Sequence, residues 1–252
     1  HEGEPIWPRR QAVIIATDFK FKDDETGKEG FVKRFILFPD NNAALRYQAS
    51  LANTPESTFY MVIRPDTPVD FYGDIDLSDE LLNLVIDGGI FASPAELMSS
   101  FIQHVDDFLE SIGVASVREN YAVSDSSKTE DGVWKKWSLH FVANLLRFRN
   151  LEGLCRFANG FANYVGGLAL CNEGCPGILH AECPHRVAKI FSKHLGVWDK
   201  SVYTPRREMR QLFSTKLGAT RYLRCLEDFN EHTTAIARLS VTDSITAFCP
   251  NP

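Results

Sequence analysis

The stretch Phe71-Tyr72-Gly73-Asp74-Ile75-Asp76-Leu77 decides the fold, because apolar and acidic residues alternate in it as an extended strand would arrange them. A period of two sets Asp74 and Asp76 on one face and Phe71, Gly73, Ile75 and Leu77 on the other. One side is then core, and the other presents two carboxylates. Like charges held that close repel, and keeping both ionised calls for a cation between them, most simply Mg²⁺ or Mn²⁺ with hard oxygen ligands. The same Asp-x-Asp also occurs on solvated strand edges and in metal-dependent sugar transferases.

Upstream, residues 12–21 and 31–38 are rich in β-branched and aromatic types and flank the polar stretch 22–30, which predicts a hairpin. Residues 41–53 offer an Asn cap and good helix formers, so a short helix ends before Thr54-Pro55, and strands are expected at 58–63 and 69–77. Ser93-Pro94-Ala95-Glu96 combines a cap, a first-turn proline and a glutamate three residues on. Leu97, Phe101, Val105, Phe108, Leu109 and Ile112 then follow at helical spacing. Downstream, strands are expected at 117–124 and 133–144 around the exposed polar turn 125–132, then helices at 151–165 and 184–195, with an irregular segment at 171–184. This alternation predicts an α+β protein with a mixed or antiparallel sheet.

Two further segments carry chemistry. In Lys136-Trp137-Ser138-Leu139-His140-Phe141 the same alternation puts Lys136, Ser138 and His140 on one face and Trp137, Leu139 and Phe141 in the core. A cation, a hydroxyl and an imidazole in a row can grip a polyphosphate, although a strand with a polar solvent face has the same pattern. Residues 197–216 begin with Asp199 behind the apolar pair Val197-Trp198 and continue into Arg206, Arg207, Arg210 and Lys216. Arginine forks onto phosphate oxygens and lysine acts as a point charge, so this run suits a site that holds metal ions and a triphosphate together. A solvated basic turn would also read this way.

Taken in order, these three segments resemble the signature motifs of the archaeo-eukaryotic primase superfamily, and the third resembles its primase-polymerase branch. The resemblance extends over roughly residues 12–225. It implies a single catalytic core over residues 1–252, with an N-terminal αβ module at about 12–115 carrying Asp-x-Asp. A C-terminal RRM-like module at 116–252 would carry Ser-x-His and the third motif. It implies template-dependent nucleotidyl transfer as a DNA primase or DNA polymerase, in replication, lesion bypass or repriming, with two Mg²⁺ or Mn²⁺ ions on Asp74, Asp76 and Asp199. Lys136, Ser138, His140, Arg207, Arg210 and Lys216 would contact the triphosphate of a dNTP or NTP. Tyr60 resembles a tyrosine near the nucleotide sugar, and Arg34 an arginine at the nucleotide and template site. The implied partners are single-stranded or primed DNA, with a single-strand-binding protein or helicase. Animal members tend to show Asp-x-Glu at the first motif, whereas this chain has Asp-x-Asp, as many archaeal and viral members do.

Composition sets bounds on these readings. The net charge of -6 would repel DNA over the whole surface, so binding has to rest on local patches. Such a patch is available at 206–224, where six cations face the single acid Glu208, while the acids gather at 23–29 and 66–80. No apolar run approaches the ~20 residues that span a bilayer, and six sparse cysteines do not suggest a disulfide framework. An intracellular protein of the nucleus, mitochondrion, kinetoplast, bacterial cytoplasm or a virus-infected cell is expected. With His1 first, the chain is expected to start inside a longer natural sequence or to follow a removed segment; the zinc-binding region that efficient priming members carry after the core has either been cut away or is lacking in this member, and the missing termini could hold a helicase or a partner-binding tail. Cys171, Cys175, His180 and Cys183, with His185 beside them, crowd an irregular segment that either holds a structural zinc or buries ordinary thiols. Two functional alternatives stand beside the polymerase. A sugar transferase would not need the Arg207, Arg210 and Lys216 series. A non-catalytic binding relic would have no reason to keep three converging carboxylates unpaired with cations.

Overall fold

The computed structural model describes residues 13–51, 54, 56–170, 183–192, 195–205, 207–211, 214–219 and 221–226. The chain is α+β, and among the described residues all strand pairings are antiparallel. Strands β1 (Val13–Lys22) and β2 (Glu29–Phe38) form the expected hairpin, and β3 (Phe59–Val62) pairs with β1. Helix α1 (Asn41–Ser50) lies between β2 and β3, and its cap is Asp40, whose carboxylate accepts from the Ala43 amide at 2.7 Å; the sequence reading had given the cap to an asparagine. Strand β4 (Val69–Leu77) carries Asp-x-Asp. Helix α2 (Asp79–Asp87), which the pattern reading did not pick out, follows it behind Ser78, with Leu81, Leu82 and Val85 buried at helical spacing.

Helix α3 (Pro94–Ser111) starts as its signature predicts, with Ser93 Oγ accepting from the Glu96 amide at 3.2 Å. Strands β5 (Tyr121–Asp125), β6 (Lys128–Glu130) and β7 (Val133–Phe148) follow, then α4 (Leu151–Leu168) and the short α5 (Arg186–Phe191). The turn expected at 125–132 is therefore partly a small hairpin of β6 on β7, and Ser126 is buried, contrary to the exposed loop that polarity suggested. Beyond α5 come a 3-10 turn (Lys200–Tyr203) and two short strands, β8 (Glu208–Arg210) and β9 (Arg224–Cys225).

One sheet has the order β2-β1-β3-β8 and the other β4-β7-β5-β9, with β6 attached to β7. Sheet membership cuts across residue 115, since β4 lies beside β7 and β8 returns to β3. The apolar face of the second sheet is covered by helices. Phe71 meets Phe141, Phe157, Trp198 and Tyr203 at ring distances of 5.1 to 6.4 Å, and Phe101 of α3 meets Phe141, Phe161, Phe191 and Trp198. An aromatic layer thus forms the part of the core behind Asp74 and Asp76.

Gly73 is fixed by space. A Cβ there would lie 2.7 Å from the Phe141 ring and 3.1 Å from Trp198 Nε1, closer than packed atoms come. At the far end of β4, the buried Asp70 carboxylate accepts from Arg147 Nε at 2.8 Å. Between these points β7 makes a bulge that includes Leu145 at φ 77°.

Among the described residues no helix is long and apolar enough to cross a membrane. Phe71→Ala is expected to lower the free energy of urea unfolding by about 3–5 kcal/mol, because a fully buried ring at the centre of this layer cannot be replaced by relaxation of its neighbours.

Candidate functional site

The pairing of β4 with β7 builds the site's floor. Asp74 lies opposite His140 and Asp76 opposite Ser138, while Leu77 opposes Trp137 on the core side. The face opposite the aromatic layer therefore presents Asp74, Asp76, Ser138 and His140 together, as alternation had indicated. Trp137, Leu139 and Phe141 are fully buried behind them.

The second wall comes from the other sheet. β8 pairs with β3 so that Arg210 lies opposite Tyr60, and the continuing chain is tied back by Gln211 N to Phe59 O at 2.9 Å and Thr215 N to Ser57 O at 2.8 Å. A cavity of about 370 Å³ results, lined by Tyr60, Tyr72, Asp74, Asp76, Ser138, His140, Arg207, Glu208, Arg210 and Lys216 among others. Eight of the eleven residues singled out for the main site line it; Arg34, Lys136 and Asp199 do not. Lys136 still reaches the site through Asp76, with Nζ 3.1 Å from Oδ1.

Arg34 is exposed, and its guanidinium lies over the Phe19 ring at 3.4 Å. The neighbouring Lys33 takes the position beside the cavity instead, 4.3 Å over the Tyr60 ring and ion-paired with Asp18 and Glu208. The β1–β2 and β1–β3 registers explain the swap: Ala16 opposes both Phe35 and Tyr60, so the odd-numbered residues of β2 share the face of Tyr60. Nothing in the isolated sequence gives that register. Ser126 was missed for the same reason; its Oγ accepts from Arg210 Nη2 at 3.0 Å and donates to Ser138 Oγ at 3.2 Å.

Asp199 is brought beside the acidic pair by its backbone. Its amide donates to Asp74 O at 3.0 Å, and Asp76 N donates to Val197 O at 2.9 Å, around a bridge between Ile75 and Trp198. Its carboxylate, however, caps the 3-10 turn, accepting from Ser201 N at 2.8 Å and from Ser201 Oγ at 2.9 Å. The three acids are therefore not unpaired, as the argument against a binding relic supposed: Asp74 has His140 Nε2 at 2.9 Å, Asp76 has Lys136, and Asp199 has Ser201.

Among the described residues no group of three or more His, Cys, Asp and Glu side chains is gathered to hold a metal ion. The acidic pair nevertheless fits a divalent cation in one respect. Asp74 Oδ1 and Asp76 Oδ1 are shielded from water and receive no aligned hydrogen bond, only ion-pair contacts, and such hard oxygens are what Mg²⁺ or Mn²⁺ takes. Asp199 would join them only after leaving Ser201. Of the zinc candidates, Cys171, Cys175 and His180 lie outside the described residues, and Cys183 is buried.

Burial pushes the pKa of Asp74 up, but the charges of His140, then Arg210 and Lys216, outweigh it and hold the carboxyl below its ordinary value. Arg210 is pulled below its ordinary value chiefly by burial, which Asp74 opposes and Arg221 reinforces. The Tyr60 hydroxyl is pushed up by burial and then by Asp18, so it is a neutral phenol at pH 7. His140 Nε2 also lies 3.4 Å from Arg210 Nη2; it can donate to Asp74 or accept from Arg210, not both at once.

No family model matches this sequence, and no curated protein matches it significantly.

Ionised Asp74 favours the folded state above its unfolded pKa, and this contribution is lost as pH falls through the lower folded value. Urea titrations between about pH 4 and pH 2 should therefore show a steeper loss of stability for the unmodified chain than for Asp74→Asn.

Proposed function

We propose that this chain is a template-dependent nucleotidyl transferase, a DNA primase or DNA-directed DNA polymerase core of the archaeo-eukaryotic primase type. It would act in replication, lesion bypass or repriming on single-stranded or primed DNA with dNTPs or NTPs. The N-terminal αβ and C-terminal RRM-like modules of that core belong to this reading. The observation that carries it is the one cavity shared by two carboxylates, Ser138, His140 and the cations Arg207, Arg210 and Lys216, drawn from segments far apart in sequence. A sugar transferase has no use for that many phosphate-binding cations.

Asp74 and Asp76, with Asp199 released from Ser201, would hold Mg²⁺ or Mn²⁺, which would supply the positive charge that favours ionisation of a primer 3′-hydroxyl and balances a leaving pyrophosphate. The chain's own residues do the positioning. Arg207 and Arg210 fork onto phosphate oxygens, Lys216 adds a point charge, and Ser138 donates from the floor. His140 stands between Asp74 and Arg210, so it can hold or release a proton where the polyphosphate meets the acids. Lys136 neutralises Asp76, and Tyr60 offers a neutral hydroxyl to the nucleotide sugar. Preorganised charge of this kind raises the rate by favouring the transition state over the ground state.

Labelled deoxynucleotide incorporation on a primed template with Mn²⁺ or Mg²⁺ tests the proposal. The unmodified chain should extend the primer, and Asp74→Ala with Asp76→Ala should abolish extension. Arg210→Ala should cost on the order of 10- to 1,000-fold in kcat/KM.

A second reading, a nucleic-acid-binding relic with weak or no catalysis, is favoured by one observation: each acid already has a partner within the protein. Binding of template and nucleotide without any extension would establish it in place of the first.

A further inference from the structure

A larger cavity, about 740 Å³, lies on the other side of Ser126 from the acidic one. Its walls are the β5–β6 turn with Thr129, Trp134 at the start of β7, and the stretch 221–226. Three cations, Lys128, Arg221 and Arg224, face a single acid, Asp125, whose Oδ1 is already engaged by the Ser127 amide at 2.6 Å. Lys128 is ion-paired with Glu130 on the exposed hairpin, and Arg224 is exposed.

Two half-buried rings, Trp134 and Tyr222, complete the lining. Trp134 is set edge-on against the fully buried Trp137, with centroids 6.0 Å apart and planes at 86°, so its orientation is fixed before any ligand arrives. That is the composition of a strand-binding groove: several cations for phosphates, and aromatic faces for bases.

Ser126 joins the two cavities. Its Oγ accepts from Arg210 on one side and its carbonyl accepts from Arg221 Nη1 at 3.0 Å on the other, so two guanidiniums flank one residue. The Arg210 Nε is buried without a hydrogen-bond partner. Arg221 disfavours the charge on Arg210, an effect that Asp74 offsets from the other side, and a polyanion running past Ser126 would offer an anionic partner to both guanidiniums.

We propose that this groove binds a segment of single-stranded DNA, with phosphates on Arg221, Arg224 and Lys128 and bases against Trp134 and Tyr222, and leads it to the nucleotide cavity. The placement of the strand beside a nucleotide rests on the nucleotidyl-transfer reading; the affinity of the groove for a strand does not.

The test is fluorescence anisotropy of a labelled oligodeoxythymidine of about 12 nucleotides, titrated at several salt concentrations, with nucleotide affinity followed separately by a fluorescent dATP analogue. Arg224→Ala should lower the slope of log K against log salt by about 0.7. Trp134→Leu should weaken strand binding about 5- to 150-fold, and both variants should bind the dATP analogue as the unmodified chain does. Because Trp134→Leu also disturbs Trp137, photocrosslinking of a 5-iododeoxyuridine oligonucleotide to the unmodified chain gives an independent reading, with adducts expected at Trp134 or Tyr222.

Unchanged strand affinity and salt slope in both variants, adducts confined to residues outside 125–134 and 221–226, or one-for-one displacement of the strand by pyrophosphate would each overturn the proposal. Strand binding that follows these variants stands even where the chain extends no primer, so failure of catalysis and failure of the groove are read separately.

Discussion

The antiparallel register that sets Asp74 against His140 and Asp76 against Ser138 is the constraint on which the site depends. A slip of β4 by one residue against β7 would send both acids into the aromatic layer and turn Ile75 into the cavity. Three features hold the register. Phe141 lies over Gly73 where no side chain fits, the buried Asp70–Arg147 pair fixes the far end, and Leu77 opposite Trp137 fixes the near end. The bulge before Arg147 absorbs the mismatch in length between the two strands, so regular pairing resumes at the salt bridge.

Charge in the cavity is balanced locally although the chain as a whole is acidic. Asp74 and Asp76 face His140, Lys136, Arg210 and Lys216 within a few side chains, and Glu208 is neutralised by Lys33. A ligand that brings phosphates therefore draws cations away from carboxylates that must find new partners, and a divalent ion is the natural one. The Asp199–Ser201 cap fits the same logic, since its carboxylate is satisfied by a hydroxyl and an amide that it can exchange for an ion.

Period-two alternation was sufficient to give the faces of β4 and β7, and with them Asp74, Asp76, Ser138 and His140. It failed wherever the answer lay in how strands are paired. Arg34 and Lys33 are adjacent, and only the pairing of β1 with both β2 and β3 decides which of them sits by Tyr60. Ser126 sits in a run of polar residues that looks like a surface turn, and it is buried because β5, β7 and Arg210 close around it. The side chain of Asp199 could not be placed from sequence because a cap to Ser201 competes with the acidic pair for it. Helix α2 is short, nine residues directly after a strand, and its signals, Ser78 before it, Asp79 and Glu80 in its first turn and Gly88 at its end, were passed over in favour of the acidic strand.

The segment from Val197 to Leu226 touches β4 through Asp199, β3 through β8 and β5 through β9, with Leu226 N donating to Val123 O at 3.0 Å. It is the thread that sews the two sheets together, and it is the last described part of the chain to leave the ribosome. The hairpin β1–β2 and the individual helices can form from neighbouring residues, but the cation-bearing wall closes loops of more than a hundred residues between Phe59 or Asp74 and their partners. Such contacts are costly in chain entropy and form late. Until they do, β3 and β4 present unpaired edges, so a nascent or truncated chain is most exposed to misassociation along the same strands that later carry the site.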